Sequence, residues 1–390
     1  MSATYSYKAQ IEQVIECLKA EKTRKTALDI LLSVSESKEL VDIFLELEVP
    51  KLMVRMVESE DIKEKETVLQ ILINLSTNEK YINSLMSLNT FHRVIKIVFA
   101  FLDSMPKKEE KTFSDPNDIM ISNDIILDKN GNTFDIKMEM DKYVINSSTI
   151  ENQHPELKND TLINLFFMFM ANLSSFEEGQ KKLLDISNEK IKGIVFFKLL
   201  DKFFDNIYSS SFDFCSSVIA NVSSLKEGRE LILENKIFKI FLIQFDKMNN
   251  MKIVNILRMI RNCCFEYEKF SEELLVKDSV MFSYLIKVLL LINDKEKGTK
   301  IDIDEIDIMY FNNFDSDKLT HDDKETINDL IIDIFLILTN HKEAVEQMKT
   351  KGLSKAIKVL ETALKESNEK SEIDEKVKDR LLVIKNYLDN

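Results

Sequence analysis

Glycine and proline are nearly missing from this chain. Six Gly and four Pro stand among 390 residues, against about 12% together in an ordinary globular protein. A β-rich fold needs many turns built on those residues, so their scarcity predicts helices joined by short polar loops. Tryptophan is absent, and cysteine is confined to Cys17, Cys215, Cys263 and Cys264. No CxxC occurs, and adjacent thiols at 263 and 264 are badly placed to share a metal. His92, His154, His321 and His341 are scattered without an HxxxH pair. No metal and no cofactor are therefore expected. Long apolar runs are missing too: Leu162 to Leu173 is interrupted by Asn164 and Asn172, and Val280 to Ile292 by Ser283 and Lys287. Neither reaches the roughly 18 residues of a membrane span, and no charged-then-apolar leader opens the chain. A cytoplasmic protein with reduced thiols is expected, on which reading the Asn-x-Ser triplets at Asn74, Asn172 and Asn221 are not glycosylated. A basic excess is lacking as well. The net charge of −14 repels a phosphate backbone, so no nucleic-acid partner is expected.

What the chain has instead is a repeat. Leu257-Arg258-Met259-Ile260-Arg261-Asn262-Cys263-Cys264-Phe265-Glu266 is the sharpest copy of an apolar helical run that ends in an Asn and a polar break. Related copies place the Asn at 74, 172, 221 and 340. The intervals of 98, 49, 41 and 78 fit a unit near 41, with an insertion inside the first. Stepping back 41 from Asn74 reaches Ser33, a weaker first copy. After the anchor, Ser174-Ser175-Phe176-Glu177-Glu178-Gly179 parallels Ser223-Ser224-Leu225-Lys226-Glu227-Gly228. The serines are expected to cap the next helix, with acids in its first turn. Periods of about 40 to 47 belong to armadillo and HEAT arrays, whose units bury their apolar faces only against neighbours.

The expected fold is therefore all-α, an armadillo/HEAT-like right-handed α-solenoid of about eight units with one long inserted loop. Its divisions are N-terminal repeats over 1–103, a loop over 104–157, central repeats over 158–292, an acidic linker over 293–325, and a final repeat with a capping helix over 326–390. The loop holds Pro106, Pro116 and Pro155, and the linker holds Ile301-Asp302-Ile303-Asp304-Glu305-Ile306-Asp307-Ile308. Ile373, Val377, Leu381 and Ile384 recur at helical spacing in the last stretch, as a closing helix requires.

Solenoids bind macromolecules along extended surfaces, which makes the anchors the first candidate site. A primary amide offers both donor and acceptor to the backbone of an extended partner, and this points to Asn74, Asn172, Asn221 and Asn262. The structural alternative is that each Asn ends a helix or ties neighbouring repeats together. Arg258 and Arg261, three apart on one helix, suit a partner's carboxylate, with pairing to Glu266 or Glu268 as the alternative. Replacing Asn221 and Arg261 by Ala is then expected to weaken capture and spare the melting temperature. Cys263 and Cys264 read as core thiols. Asp128 to Glu139 imitates a calcium loop, but Gly131 falls at its fourth place and Thr133 at its sixth, so it reads as a decoy. GxxxxGK[ST], GxGxxG and GxSxG do not occur, and no catalytic role is expected.

Phe212-Asp213-Phe214, the run Ala220 to Arg229, and Leu257 to Glu266 carry a further likeness. Beyond armadillo proteins generally, the chain resembles one eukaryotic family, brain protein sixteen, over roughly 27–390 apart from the insertion. The resemblance implies a cytosolic co-chaperone that binds folding intermediates of translation elongation factor 2 and links them to the chaperonin TRiC/CCT and Hsp90; a monomer is expected. An importin- or catenin-like scaffold for short linear peptides is the other expectation. The missing tryptophan counts against it, because such receptors set Trp beside their Asn series.

Overall fold

Each helix of the repeat follows from an apolar stripe with a stop at its end. The segment Ile62–Leu75 starts where Asp61 accepts hydrogen bonds from the backbone N–H groups of Lys63 and Glu64. It buries Val68, Leu69, Ile71, Leu72, Ile73 and Leu75, and the Ser76 hydroxyl closes it by donating to Ile73 O at 2.7 Å. In the computed structural model, residues 2–87, 90–104, 120–122, 125–127, 160–188, 190, 192–205, 212–235, 250–274, 281–293, 319–366 and 372–389 are described. The chain divides into two compact units: Met1–Pro116 with Asp141–Asn221, and Asn117–Met140 with Val222–Asn390.

In the first unit, Ile62–Leu75 packs between Glu21–Val34 on one side and Asp160–Ser174 on the other. Val49–Met56 backs it, and Thr90–Ser104 lies against Ile194–Asp205. Phe166, Phe167, Phe169 and Phe196 are fully buried there. In the second unit, Asn250–Cys263 packs on His321–Leu338, which packs in turn on Glu372–Asp389. Lys226–Glu234 meets Tyr267–Leu274, and Met281–Asn293 meets Leu353–Glu366 behind them. The architecture is an all-α solenoid of armadillo type. Repeated helices stack on their counterparts, and the core runs along each stack.

The inserted stretch falls between the helices Thr90–Ser104 and Asp160–Ser174. Within it Met120–Ser122 pairs antiparallel with Ile125–Leu127. The calcium-loop imitation lies outside the described residues, as do the acids from 302 to 317. The stretch 293–325 ends in a helix that starts at His321, because Thr320 and Asp323 form a reciprocal capping box. In the last helix Val377, Leu381 and Ile384 are buried, while Leu382, Val383 and Tyr387 are about half exposed.

The expectation for the serine pairs needs correction. The residues that open the helices Glu177–Leu183 and Lys226–Glu234 are Phe176 and Leu225, with no side-chain cap. Ser174 and Ser175 instead donate backwards, to Ala171 O and Asn172 O. The turn is too short for them to do otherwise. A Cβ on Gly179 would stand 1.9 Å from Leu173 O, and one on Gly228 2.0 Å from Val222 O. The Glu-Gly text is therefore the signature of a helix crossing close over the end of its predecessor. The next residue finishes the turn: Gln180 Nε2 donates to Ser174 O, and Arg229 Nη1 to Ser224 O.

Candidate functional site

The anchor amides face the repeat before them. Asn172 Nδ2 donates to Ile73 O at 3.2 Å and to Ser76 Oγ at 3.0 Å. Asn221 Nδ2 donates to Ala171 O at 3.0 Å and to Ser174 Oγ at 3.1 Å. Asn74 Nδ2 reaches Ser35 Oγ at 2.8 Å, and in the second unit Asn262 Nδ2 reaches Ser223 Oγ at 2.9 Å. The acceptor serine always stands two residues beyond the preceding anchor, which puts Ser33 in register as the first copy.

Chemistry fixes which way these amides point. Ile73 O and Ala171 O only accept, so the NH2 end must face them. Ser35, Ser76 and Ser174 give their own protons to Leu32 O, Ile73 O and Ala171 O, so toward the amides they act as acceptors. Both hydrogens of Asn172 and of Asn221 are used inside the first unit. Asn74, Asn172 and Asn221 are half-buried residues, and among the described residues nothing donates to their amide oxygens. The ladder of the first unit is thus a row of acceptors.

The copy at 340 is out of register. Thr339 Oγ1 closes its helix on Leu336 O, the role of Ser35, Ser76 and Ser174, so the ladder position two residues earlier is Ile337. Asn340 is exposed and donates only to Ile337 O. The serine position after Asn262 is likewise lost, to Cys264. Where amide and hydroxyl are both missing, charge takes over: Arg261 Nε donates to Asp333 Oδ2 at 2.9 Å, and Arg380 pairs with both Asp329 and Asp333.

Arg261 has further neighbours. Its Nη1 lies 3.5 Å from Asn262 Oδ1, and its guanidinium stands 5.9 Å from the Phe265 ring centre. Arg258 is exposed and makes no ion pair among the described residues. Glu266 pairs with Arg229, whose Nη2 lies 2.8 Å from Oε1, both side chains being about 15% exposed. This pair joins the two most distinctive motifs of the sequence and was missed there. The spacing of the motifs, Arg229 to Glu266 against Asn221 to Asn262, was its only trace. Cys263 and Cys264 are buried, which pushes both thiols up and leaves them protonated. Lys252, on the same helix, is pushed down to about 8 by burial. Tyr267 stacks on His341 with ring centres 3.4 Å apart. Among the described residues no group of His, Cys, Asp or Glu is arranged to hold a metal, and no helix is long and apolar enough to cross a membrane.

Comparison with known proteins agrees with the all-α repeat fold. Residues 156–328, less than half of the chain, match a family model described as "Domain of unknown function (DUF383)". That span contains the anchors at 172, 221 and 262. The chain is similar to "Protein HGH1 homolog" of Dictyostelium discoideum, 23% identical over 303 residues that cover 72% of this chain and 76% of that protein. Among solved structures it is similar to the "Designed armadillo repeat protein YIII(Dq)4CqI", with TM-score 0.50, 14% identity, and coverage of 87% of this chain and 99% of that one. It is also similar to the "Designed armadillo repeat protein YIII(Dq.V1)4CPAF in complex with peptide (KR)4", with TM-score 0.51, 15% identity, and coverage of 87% and 100%. These likenesses show the armadillo fold.

Proposed function

We propose that the protein is a binding scaffold that holds extended segments of a client polypeptide against its ladder helices, with no chemistry of its own. The observation that carries this reading is the orientation of Asn172 and Asn221. With their hydrogens committed to the preceding repeat, their oxygens are left to accept hydrogen bonds. A backbone N–H recurs at every residue of an extended chain whatever its side chains, so such a row accepts many sequences. Binding of that kind delays aggregation whenever it favours an incompletely folded state over the native one.

The finer reading is a cytosolic co-chaperone that assists folding of translation elongation factor 2 and passes it to the chaperonin TRiC/CCT and Hsp90. It is supported by the likeness to the brain protein sixteen family drawn from Ala220 to Arg229 and Leu257 to Glu266, and by the similarity to an HGH1 homolog. An acceptor row also suits the Lys and Arg side chains of a short basic peptide, such as the (KR)4 held by the designed armadillo protein. Affinity capture of the tagged full chain from cytosol distinguishes the two. Elongation factor 2 arriving together with chaperonin subunits supports the co-chaperone reading. Karyopherin-type cargo alone moves the assignment to a transport or signalling scaffold. An Asn172→Asp variant that captures either class undiminished removes the ladder from the mechanism.

A further inference from the structure

The stretch Leu257 to Glu266 divides by direction. Met259, Ile260, Cys263 and Cys264 are buried, and Glu266 is held by Arg229. Arg258 and Phe265 point the other way. Phe265 is 55% exposed, and Arg258 is exposed and unpaired among the described residues. They flank Asn262, at four residues before it and three after, so the three form a stripe about 10 Å long on one side of the helix and its closing turn.

Other copies of the repeat do not build this stripe. Three residues beyond the ladder position they carry Thr77, Ser175, Ser224 and Asn340, all exposed and polar. Four residues before it they carry Gln70, Met168, Ser217 and Asp333. An aromatic ring stands only where an arginine stands with it. The ring is also positioned, because Asp333 holds the Arg261 guanidinium beside it. Charge points the same way. The helix Asn250–Cys263 bears Lys252, Arg258 and Arg261 and no acid, in a chain of net charge −14. Where it meets its neighbours, Arg261 and Arg380 take up Asp329 and Asp333, and Arg258 stands without a counter-charge among the described residues.

We propose that this stripe binds an acidic segment of a partner protein, with Arg258 gripping a carboxylate and Phe265 covering an apolar side chain about three residues away. The spacing follows from geometry, since about 10 Å of stripe matches three residues of an extended chain at roughly 3.3 Å each. Arginine suits the carboxylate through its planar fork, and the ring supplies apolar area without a large ordering cost. Here the Asn262 oxygen already faces Arg261, so side chains select the partner where bare backbone suffices at Asn172 and Asn221. The inference rests on the ladder reading above and adds to it the chemistry of one partner class.

The test is fluorescence anisotropy on the full chain, using labelled peptides of about nine Gly and Ser residues that carry one Glu and, three residues on, one Leu. Binding is expected to weaken at least tenfold when Glu is replaced by Lys, when Leu moves to the adjacent position, and in Arg258→Ala and Phe265→Ser. Arg258→Lys is expected to retain part of it, and added salt to weaken the native protein far more than Arg258→Ala. Both sites are exposed, so melting curves should be unchanged. Equal binding by the two Ala and Ser variants, or by the Lys peptide, overturns the proposal. A parallel titration with an uncharged Gly/Ser/Val peptide separates the two levels of the argument. If that peptide depends on Asn172 and the acidic one ignores Arg258, the ladder reading survives and the acidic partner does not. If neither peptide binds, both fall.

Discussion

Replacing Asn172 by Ala strips Ile73 O and Ser76 Oγ of a shared donor in a half-buried place. An expected loss of about 1–2 kcal/mol follows, measurable by urea unfolding. Asn172→Asp keeps the shape and turns a carboxylate oxygen toward a carbonyl. It is expected to cost more at neutral pH and to recover part of the loss as acid protonates it. The same reasoning revises the expectation for Asn221→Ala with Arg261→Ala: both residues hold internal partners, so a lower melting temperature should accompany weaker capture. Lys252 gives a pH-dependent case. Burial lowers it from 10.5 to about 8, so between those values the unfolded chain holds a proton that the folded chain has released, and stability rises with pH. Lys252→Met is expected to melt higher at pH 7, with an advantage that shrinks as pH climbs from about 8 toward 10.5. At this scale the sequence marked the anchors, because a fixed interval survives without coordinates. It did not mark their orientation, nor the partners of Arg261 and Glu266, because Asp333 and Arg229 are remote in the chain and local spacing offered Glu266 and Glu268 to the arginines instead.

Among the helices the decisive contact is a glycine beneath a carbonyl. Gly228→Ala brings a Cβ to 2.0 Å from Val222 O, so the helix Lys226–Glu234 has to move or its predecessor has to unwind. A loss of about 2–4 kcal/mol is expected, and Gly179→Ala should match it; a drop below about 1 kcal/mol in thermal or urea unfolding would show that the turn relaxes cheaply. Periodicity made the helices legible, and the recurring Glu-Gly marked the turn between them. Capping was misread because Ser-Ser before an acidic pair is the usual start of a helix, whereas here the serines close the preceding helix and serve as acceptors for the next repeat. Asn340 was misread for a related reason. An Asn just past a helix end looks the same in sequence whether its position is the ladder or, as here, three residues beyond it.

For the molecule as a whole, thiol chemistry offers a simple readout. Cys17 is exposed, while Cys215 in the first unit and Cys263 and Cys264 in the second are buried. One thiol per chain is expected to react rapidly with a disulfide reagent under native conditions, and all four in denaturant. Labelling followed by peptide mapping along a urea series then reports each unit separately, through 215 for one and through 263 and 264 for the other. Fast native labelling at any of those three would contradict the packing described. The all-α solenoid was visible in advance because a shortage of Gly and Pro together with a 41-residue period admits few other folds. The last of the chain's crossings between units, between Asn221 and Val222, left no mark in composition or charge, since it falls within one helical run.

The fastener between repeats changes along the second unit, from an amide on a hydroxyl at Asn262 and Ser223 to arginines on aspartates at Arg261, Arg380, Asp329 and Asp333. Neutral dipoles ignore electrolyte, whereas partly solvated ions are screened by it. A cell or buffer of rising ionic strength is therefore expected to loosen the contacts at Arg261 and Arg380 ahead of the one between Asn262 and Ser223, so that within this unit the stiffness of the last turns answers to the surroundings.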